Sequence, residues 1–126
     1  MTTVKFYICE HCGNVATKIT DKGVPLVCCG QKMTLLEAGT VDASREKHVP
    51  VITRDADTLT VKVGAVDHPM TPEHYIDWIC VVTEDGALVK KLDPTGKPEA
   101  QFLVAADTPV TVYAYCNLHG LWAAEG

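Results

Sequence analysis

Residues 9–30 read CEHCGNVATKITDKGVPLVCCG and contain four closely spaced cysteines: Cys9, Cys12, Cys28 and Cys29. A Cys-x-x-Cys pair lets two thiolates on one turn bind the same ion, and a second pair 16 residues later can complete a tetrahedral four-thiolate site. The second pair is adjacent in sequence, so binding one ion with both is expected to distort the tetrahedron. Zinc and iron fit this motif equally well. We interpret His11, between the first two cysteines, as a solvent-facing turn residue.

This motif divides the chain into two parts. Residues 1–36 hold four of the six cysteines, whereas four of the five histidines come later, from His48 onward. A segment of this length buries too little apolar surface to fold unaided, so we expect a metal to hold it together. Residues 37–45, EAGTVDASR, are small and polar and are interpreted as a connection. The sequence therefore predicts one domain at residues 1–36 and a second at residues 37–126.

The second part alternates apolar and polar residues with a period of two, as at Leu59, Val61 and Val63. Turn signals such as EDG and DPTGKP separate short runs of this kind. We predict six strands, at residues 49–54, 59–63, 76–82, 87–91, 101–105 and 110–115. Because strands of this length and spacing are typical of an antiparallel β-sandwich, the chain is predicted to be mainly β with little helix.

Each of the four later histidines lies beside a turn signal, in EKHVP, DHPMTPEH and CNLHG. Any one of them alone would more often be an ordinary surface residue than a ligand. Cys116 and His119 have the spacing of a chelating pair, however, and His68 and His74 flank a short loop that can aim both rings at one point. With His48 they supply four imidazoles and one thiolate, one ligand more than a structural zinc accepts. Imidazole suits iron, zinc and copper alike, but this mixed set suggests a reactive iron centre with one open position.

The composition of the whole chain argues against several classes of protein. Its 126 residues, 47% hydrophobic and 21% charged, fit a small globular protein, and no apolar run is long enough to span a membrane. A net charge of −5 without a basic cluster makes nucleic acid a poor partner. No secretory signal is evident, so the cysteines are expected to be metal ligands in the cytoplasm and not disulfides. Cys80 is the exception, interpreted as a buried small hydrophobic residue.

These motifs resemble those of the desulfoferrodoxin family, the two-iron superoxide reductases. CEHC with the adjacent Cys28 and Cys29 resembles the desulforedoxin-type four-thiolate module, and EKHVPV, HPM followed by His74, and CNLHGLW resemble the catalytic module. The resemblance spans nearly the whole chain. It implies a small desulforedoxin-like FeS4 module at residues 1–36, followed by an antiparallel immunoglobulin-like β-sandwich at residues 37–126.

The resemblance implies two iron ions per chain. The first would be held tetrahedrally by the four N-terminal cysteines. The second would be a square-pyramidal Fe(His)4Cys centre with a sixth position open to solvent. Its axial ligand would be Cys116, and its four equatorial ligands would be His48, His68, His74 and His119. Glu46 and Lys47 match the Glu-Lys pair of the family's EKH motif. Lys47 would attract the anionic substrate, and Glu46 would bind at the open position after the product leaves.

The reaction that the resemblance implies is the one-electron reduction of superoxide to hydrogen peroxide, with electrons from a rubredoxin-like donor. The resemblance also implies a cytoplasmic homodimer. On the residues alone, two other functions stay open. One is an electron carrier whose histidines merely lie on loops, which reaction with superoxide would distinguish. The other is a zinc-ribbon interaction module fused to a β-sandwich, which metal content would distinguish.

Overall fold

The computed structural model describes residues 3–126, so the first two residues of the predicted N-terminal domain lie outside the described residues. The chain forms two compact units. One is Val4–Glu37, and the other is Ala38–Gly126 together with Thr3. Each unit carries its own sheets, so each is described by itself.

The unit Val4–Glu37 is built from very short strands: β1 (Phe6–Ile8), β2 (Val15–Thr17), β3 (Val27–Cys28), β4 (Gln31–Lys32) and β5 (Thr34–Leu36). They form an antiparallel sheet in the order β2-β1-β5 and a separate β3-β4 hairpin. Strands of two or three residues are too short to show a period, which is why the sequence did not predict them. Phe6 and Cys9 are the buried hydrophobic side chains of this unit.

The unit Ala38–Gly126 is a β-sandwich with one short helix: α1 (Arg45–His48), β6 (Pro50–Asp55), β7 (Thr58–Val63), β8 (Ile76–Thr83), β9 (Gly86–Lys91), β10 (Glu99–Leu103), β11 (Thr111–Cys116) and β12 (Gly120–Glu125). One sheet has the order β10-β7-β6 and the other the order β12-β11-β8-β9. Every pairing is antiparallel. The predicted fold class, mainly β with a cysteine-rich N-terminal part and a sandwich, is confirmed.

The core of the sandwich draws side chains from both sheets. Leu59, Val61 and Val63 alternate along β7, as the period of two predicts, and are fully buried. β8 departs from simple alternation, because Ile79 in the core and Cys80 on the opposite face are both fully buried. A strand buried on both faces has a nearly continuous apolar sequence, which is what WICVV provides.

Each of the six predicted strands is present, with ends shifted by at most two residues. The sequence missed β12, whose glycine and two alanines are residue types that strands contain less often. It also missed α1, a single turn of four residues that is too short for a helical period. None of the helices found among residues 3–126 has the length and apolar character needed to cross a bilayer.

Candidate metal centres

The cysteine cluster, defined as Cys9, Cys12, Cys28 and Cys29, has its four sulfur atoms within 4.8 Å of one another. Two tight turns produce this arrangement. The first is closed by hydrogen bonds from Gly13 N–H to Cys9 O and from Cys9 N–H to Asn14 O, each 2.8 Å. The second connects β3 to β4, where Cys29 and Gly30 adopt left-handed φ values of 53° and 73°. Adjacent side chains ordinarily point in different directions. The left-handed backbone at Cys29 reorients its side chain, so that Cys28 and Cys29 can both face the cluster.

Ionisation within the cysteine cluster is uneven. The backbone N–H of Cys12 donates a hydrogen bond of 3.4 Å to Cys9 Sγ and lowers the pKa of Cys9 to about 6. Contacts with the Cys12 and Cys9 side chains raise the pKa of Cys29 to about 12. Four crowded sulfurs therefore cannot all be thiolates without a cation among them, and a bound cation would displace the remaining protons. His11 is exposed and lies outside the cluster.

A second group of side chains converges in the sandwich unit. The histidine cluster is defined as His48, His68, His74, Cys116 and His119. Its imidazole rings form a closed cycle in which consecutive ring centroids lie 4.7, 4.5, 5.1 and 4.9 Å apart, in the order His48, His68, His74, His119. Each consecutive pair is nearly perpendicular, at 77° to 88°. Four rings arranged in this way surround a single point.

Hydrogen bonds to backbone carbonyls set the tautomers of two of these rings. His48 Nδ1 lies 2.6 Å from Ser44 O, and His68 Nδ1 lies 2.6 Å from Pro69 O. Because a carbonyl can only accept, each Nδ1 carries the proton and each Nε2 keeps its lone pair. In the part of the chain that the structure describes, the Nε2 atoms of His68 and His74 are buried without a hydrogen-bond partner. A buried ring nitrogen without a hydrogen-bond partner is costly unless it binds a cation.

His119 faces the centre of the ring cycle with Nδ1, whereas His48 and His68 keep the lone pair on Nε2. Its Nδ1 lies 3.2 Å from His48 Nε2 and 3.8 Å from Cys116 Sγ. One ligand atom from each of His48, His68, His74 and Cys116 lies within 4.8 Å of the other three. The donor set of four imidazole nitrogens and one sulfur fits a transition-metal ion such as iron, and the chemistry of these donors does not suit calcium or magnesium.

Cys116 is the last residue of β11, and its side chain is fully buried. Burial raises the pKa of Cys116, and backbone N–H groups of Leu118 and His119 partly offset this. The His119 N–H donates to Cys116 Sγ at 3.4 Å. The thiol therefore binds a proton in the metal-free protein, and a metal would compete with that proton for the sulfur.

The histidines are poised to bind a metal at neutral pH. Burial lowers the pKa of His48, His68 and His74, in the case of His68 to about 4. These rings are therefore neutral near pH 7, which is the form that binds metals. The positive charge of Lys47 adds to the lowering at His48 and His74, so its field reaches the cluster. Glu46 and Lys47 are both exposed on α1.

Three residues that sequence reasoning did not single out contact the histidine cluster or the segments that carry it. Trp122 donates its indole N–H to His119 O at 3.1 Å, and its ring centroid lies 4.9 Å from that of His48. Gly64 lies against α1, where an added Cβ would come within 2.6 Å of Glu46 O. Asn117 bonds to the segment on both sides of His74. In the sequence, these residues are distinguished only by lying within a few positions of a candidate ligand, and that closeness does not predict such contacts.

Two compact β units, each with its own cluster of metal-ligating side chains, define a class of small two-centre metalloproteins. The Desulfoferrodoxin family model matches residues 40–125, and the model of the Desulfoferrodoxin N-terminal domain matches residues 2–36. The chain therefore belongs to the desulfoferrodoxin family.

Individual relatives give the same result. The chain is 47% identical over 123 residues to a desulfoferrodoxin of Syntrophotalea carbinolica, covering 98% of this chain and 97% of that one. It is 41% identical over 102 residues to a superoxide reductase of Thermococcus kodakarensis, covering 67% and 89% of the two chains. It is also similar to the crystal structure of the superoxide reductase from Treponema pallidum, with a TM-score of 0.80, 35% identity and 97% of both chains covered.

Proposed function

We propose that the chain is a superoxide reductase. It would convert superoxide to hydrogen peroxide by adding one electron and two protons, without releasing the dioxygen that a dismutase forms. The observation that carries this proposal is the closed cycle of four imidazoles with Cys116 Sγ beside it. The names of the relatives from Thermococcus kodakarensis and Treponema pallidum support the same reaction.

We propose iron at both clusters. The residues that would hold the first iron are the cysteine cluster, and those that would hold the second are the histidine cluster. Iron at the histidine cluster would supply the electron for superoxide and, with five protein ligands, a position for the anion to bind. The protein contributes neutral rings, fixed tautomers and a buried thiolate, all held before the substrate arrives.

Lys47 is proposed to attract the substrate. The chain carries a net charge of −5, so superoxide is repelled at long range and needs a local positive field. Lys47 is exposed, directly precedes His48 and lowers the pKa of two rings of the cluster, so its charge acts at the site where the anion would arrive. Its ammonium group would also hold water that donates protons to the product.

Glu46 is proposed to close the open position when no substrate is bound. It precedes Lys47 on α1 and is exposed, so its side chain can change rotamer without disturbing the core. A carboxylate is a hard ligand suited to the oxidised metal. The backbone beneath it is fixed, because Glu46 O accepts a hydrogen bond of 3.0 Å from Val66 N–H.

We propose the following wider setting. Residues 1–36 form the iron-binding domain and residues 37–126 the catalytic domain. An external protein of the rubredoxin type supplies the electrons, and the active form is a cytoplasmic homodimer that binds neither nucleic acid nor membranes. The six cysteines without disulfides and the acidic net charge support this setting.

The test is the product balance of the purified, iron-loaded protein with superoxide under a chemical reductant. A reductase forms one hydrogen peroxide for each superoxide consumed and no dioxygen, whereas a dismutase forms half as much peroxide. The His74→Ala variant should lose most of the rate, and the Cys80→Ala variant, altered at a buried cysteine outside both clusters, should retain it. Product in the dismutase ratio, or no reaction at all, would overturn the proposal. Reduced rubredoxin then replaces the chemical reductant to test the donor.

A further inference from the structure

We propose that Asn117 is a positioning residue that fixes His74 relative to Cys116. This inference rests on the proposed function, because it takes both residues to be ligands of the same ion. Asn117 follows Cys116 directly and lies in the turn that leads to His119. Its hydrogen bonds run to the neighbours of His74, so it would act on the reaction through the residues it holds.

Asn117 forms three hydrogen bonds to the residues on either side of His74. Its side-chain amide donates to Glu73 O at 3.0 Å and accepts from Tyr75 N–H at 2.9 Å. Its own backbone N–H donates to Tyr75 O at 3.2 Å. One residue thus bridges both flanks of His74, although the two segments are more than 40 residues apart in sequence.

His74 depends on this support more than His48 and His68 do. The Nδ1 atoms of His48 and His68 are each held by a backbone carbonyl. No such ring-to-carbonyl bond is found for His74 among residues 3–126, and its Nε2 is buried without a partner. The direction of this ring must therefore be set largely by the backbone that carries it.

Local hydrogen bonds shape the His74 turn but do not place it. Backbone N–H and C=O groups of Thr71 and His74 bond to each other at 3.0 and 3.1 Å, and Thr71 Oγ1 accepts from His74 N–H at 3.1 Å. These bonds lie within one loop and do not reach β11; the strand pairing with β11 begins after the loop, at Ile76 opposite Cys116. The bonds from Asn117 join that loop to the end of β11, where Cys116 lies.

The expected effect is on metal affinity. Residues that orient metal ligands typically change affinity or activity by about 10- to 100-fold when they are replaced. Asn117→Ala removes both side-chain bonds. Asn117→Asp keeps an oxygen to accept from Tyr75 N–H but sets a second carboxylate oxygen against Glu73 O in place of the donor, so its loss should be at least as large.

Asp57→Ala is a matched control. Asp57 Oδ1 accepts a hydrogen bond of 3.3 Å from Ala106 N–H, which likewise joins two segments far apart in sequence. Asp57 lies at the far end of the β6–β7 hairpin from Gly64, separated from it by the six residues of β7, which span about 17 Å. This variant loses an inter-loop bond of the same kind away from the histidine cluster.

The experiment uses the full iron-loaded chain, dialysed against graded concentrations of a chelator, with iron per chain, thiolate-to-iron absorption and thermal unfolding measured for each variant. Asn117→Ala should release one of its irons at a chelator concentration about 10- to 100-fold lower than the parent, with a shifted absorption band. Asn117→Asp should release that iron at least as readily as Asn117→Ala. Asp57→Ala should lower the unfolding temperature without changing iron release.

Two results would overturn the inference. One is release of iron from Asn117→Ala at the parent's chelator concentration with an unchanged band. The other is equal changes in Asn117→Ala and Asp57→Ala, which would mean that general destabilisation explains both. His74→Ala separates this inference from the ligand assignment. If His74→Ala loses an iron and Asn117→Ala does not, only the positioning role fails. If His74→Ala keeps both irons, the ligand assignment fails.

Discussion

The two units of the chain hold their clusters in opposite ways. In Val4–Glu37, Cys9 is itself one of the few buried side chains, and strands of two or three residues surround it. In Ala38–Gly126, a core drawn from both sheets includes Cys116 but none of the four histidines of the cluster, which lie on α1 and in the connections between strands. The first unit has a cysteine cluster and hardly any core, whereas the second has a large core that supports the histidine cluster.

This difference follows from size. Below about 40 residues, a chain rarely buries enough apolar surface to offset its loss of conformational entropy. The N-terminal unit also leaves Ile19 99% exposed, so much of its limited apolar area does not contribute to folding. The sandwich buries enough apolar surface to fold without a metal, so the side chains of the histidine cluster are free to serve a reaction.

Metal removal tests this contrast with the largest expected effect. Stripping both ions with a chelator under reducing conditions should unfold Val4–Glu37, because its short strands, hydrogen-bonded turns and small buried area are too little to keep it folded. The sandwich should stay folded. Amide hydrogen exchange of the stripped protein, resolved by residue, measures both outcomes at once, with protection lost in β1 and β5 and kept in β7, β8 and β11.

Cys9→Ser provides the selective version of the same test. It removes one sulfur of the cysteine cluster and should reproduce the loss of protection in the first unit while the histidine cluster keeps its metal. If β1 and β5 remain protected in the fully stripped protein, the first unit folds without its metal and the contrast drawn here is wrong.

The two units also differ in how much of their structure the sequence predicts. In the sandwich, alternation at Leu59, Val61 and Val63 predicted the strand and its buried face. In the first unit, the cysteines predicted a cluster, but no strand was predicted, because a three-residue strand has no measurable period. Metal ligands are visible in a sequence as motifs even where secondary structure is not.

Gly64→Ala tests how closely the sandwich holds its ligands. An added Cβ would lie 2.6 Å from Glu46 O and 2.9 Å from Val49 O, both of which are backbone atoms that cannot turn aside. The variant should therefore shift α1 and lose about 1 to 3 kcal/mol of unfolding free energy. Because α1 carries His48, the histidine cluster should bind its metal more weakly. Chemical denaturation and metal content measure the two effects.

Gly86→Ala is the comparison variant, because nothing lies within 4 Å of its added Cβ while its φ of 146° still penalises a side chain. It should cost stability without affecting metal content. Unchanged metal content in Gly64→Ala would mean that the loop around Gly64 does not set the position of α1.

Lys47→Ala tests whether the charge at α1 serves the substrate. We expect the second-order rate constant with superoxide to fall about tenfold and its dependence on ionic strength to flatten, since a local attraction has been removed. Pulse radiolysis at several salt concentrations measures both. Lys22→Ala removes the same charge from the first unit and should leave the rate unchanged. Equal slowing in both variants would assign the effect to net charge.

Sequence reasoning identified the side chains of the histidine cluster but not the residues that support them. The motifs named each of the side chains that the structure brings into the histidine cluster. They could not name Gly64, Asn117 or Trp122 as supports, because each acts through a contact with a segment distant in sequence or through a ring-to-ring distance. Such contacts depend on strand pairing and loop paths that a single sequence does not reveal.

Trp122→Phe is expected to have the smallest effect and is the most direct test of these supports. The phenyl ring would keep most of the packing against His48, whose ring centroid lies 4.9 Å away, but would lose the indole hydrogen bond of 3.1 Å to His119 O. We expect a loss of about 1 kcal/mol in unfolding free energy. Because the freed carbonyl belongs to a proposed ligand, the thiolate absorption of the histidine cluster should shift as well. Ile79→Val costs a similar amount in the core and should leave that absorption unchanged. If both variants leave the absorption unchanged, Trp122 stabilises the sandwich in the way that any core residue does, and the histidine cluster does not depend on it.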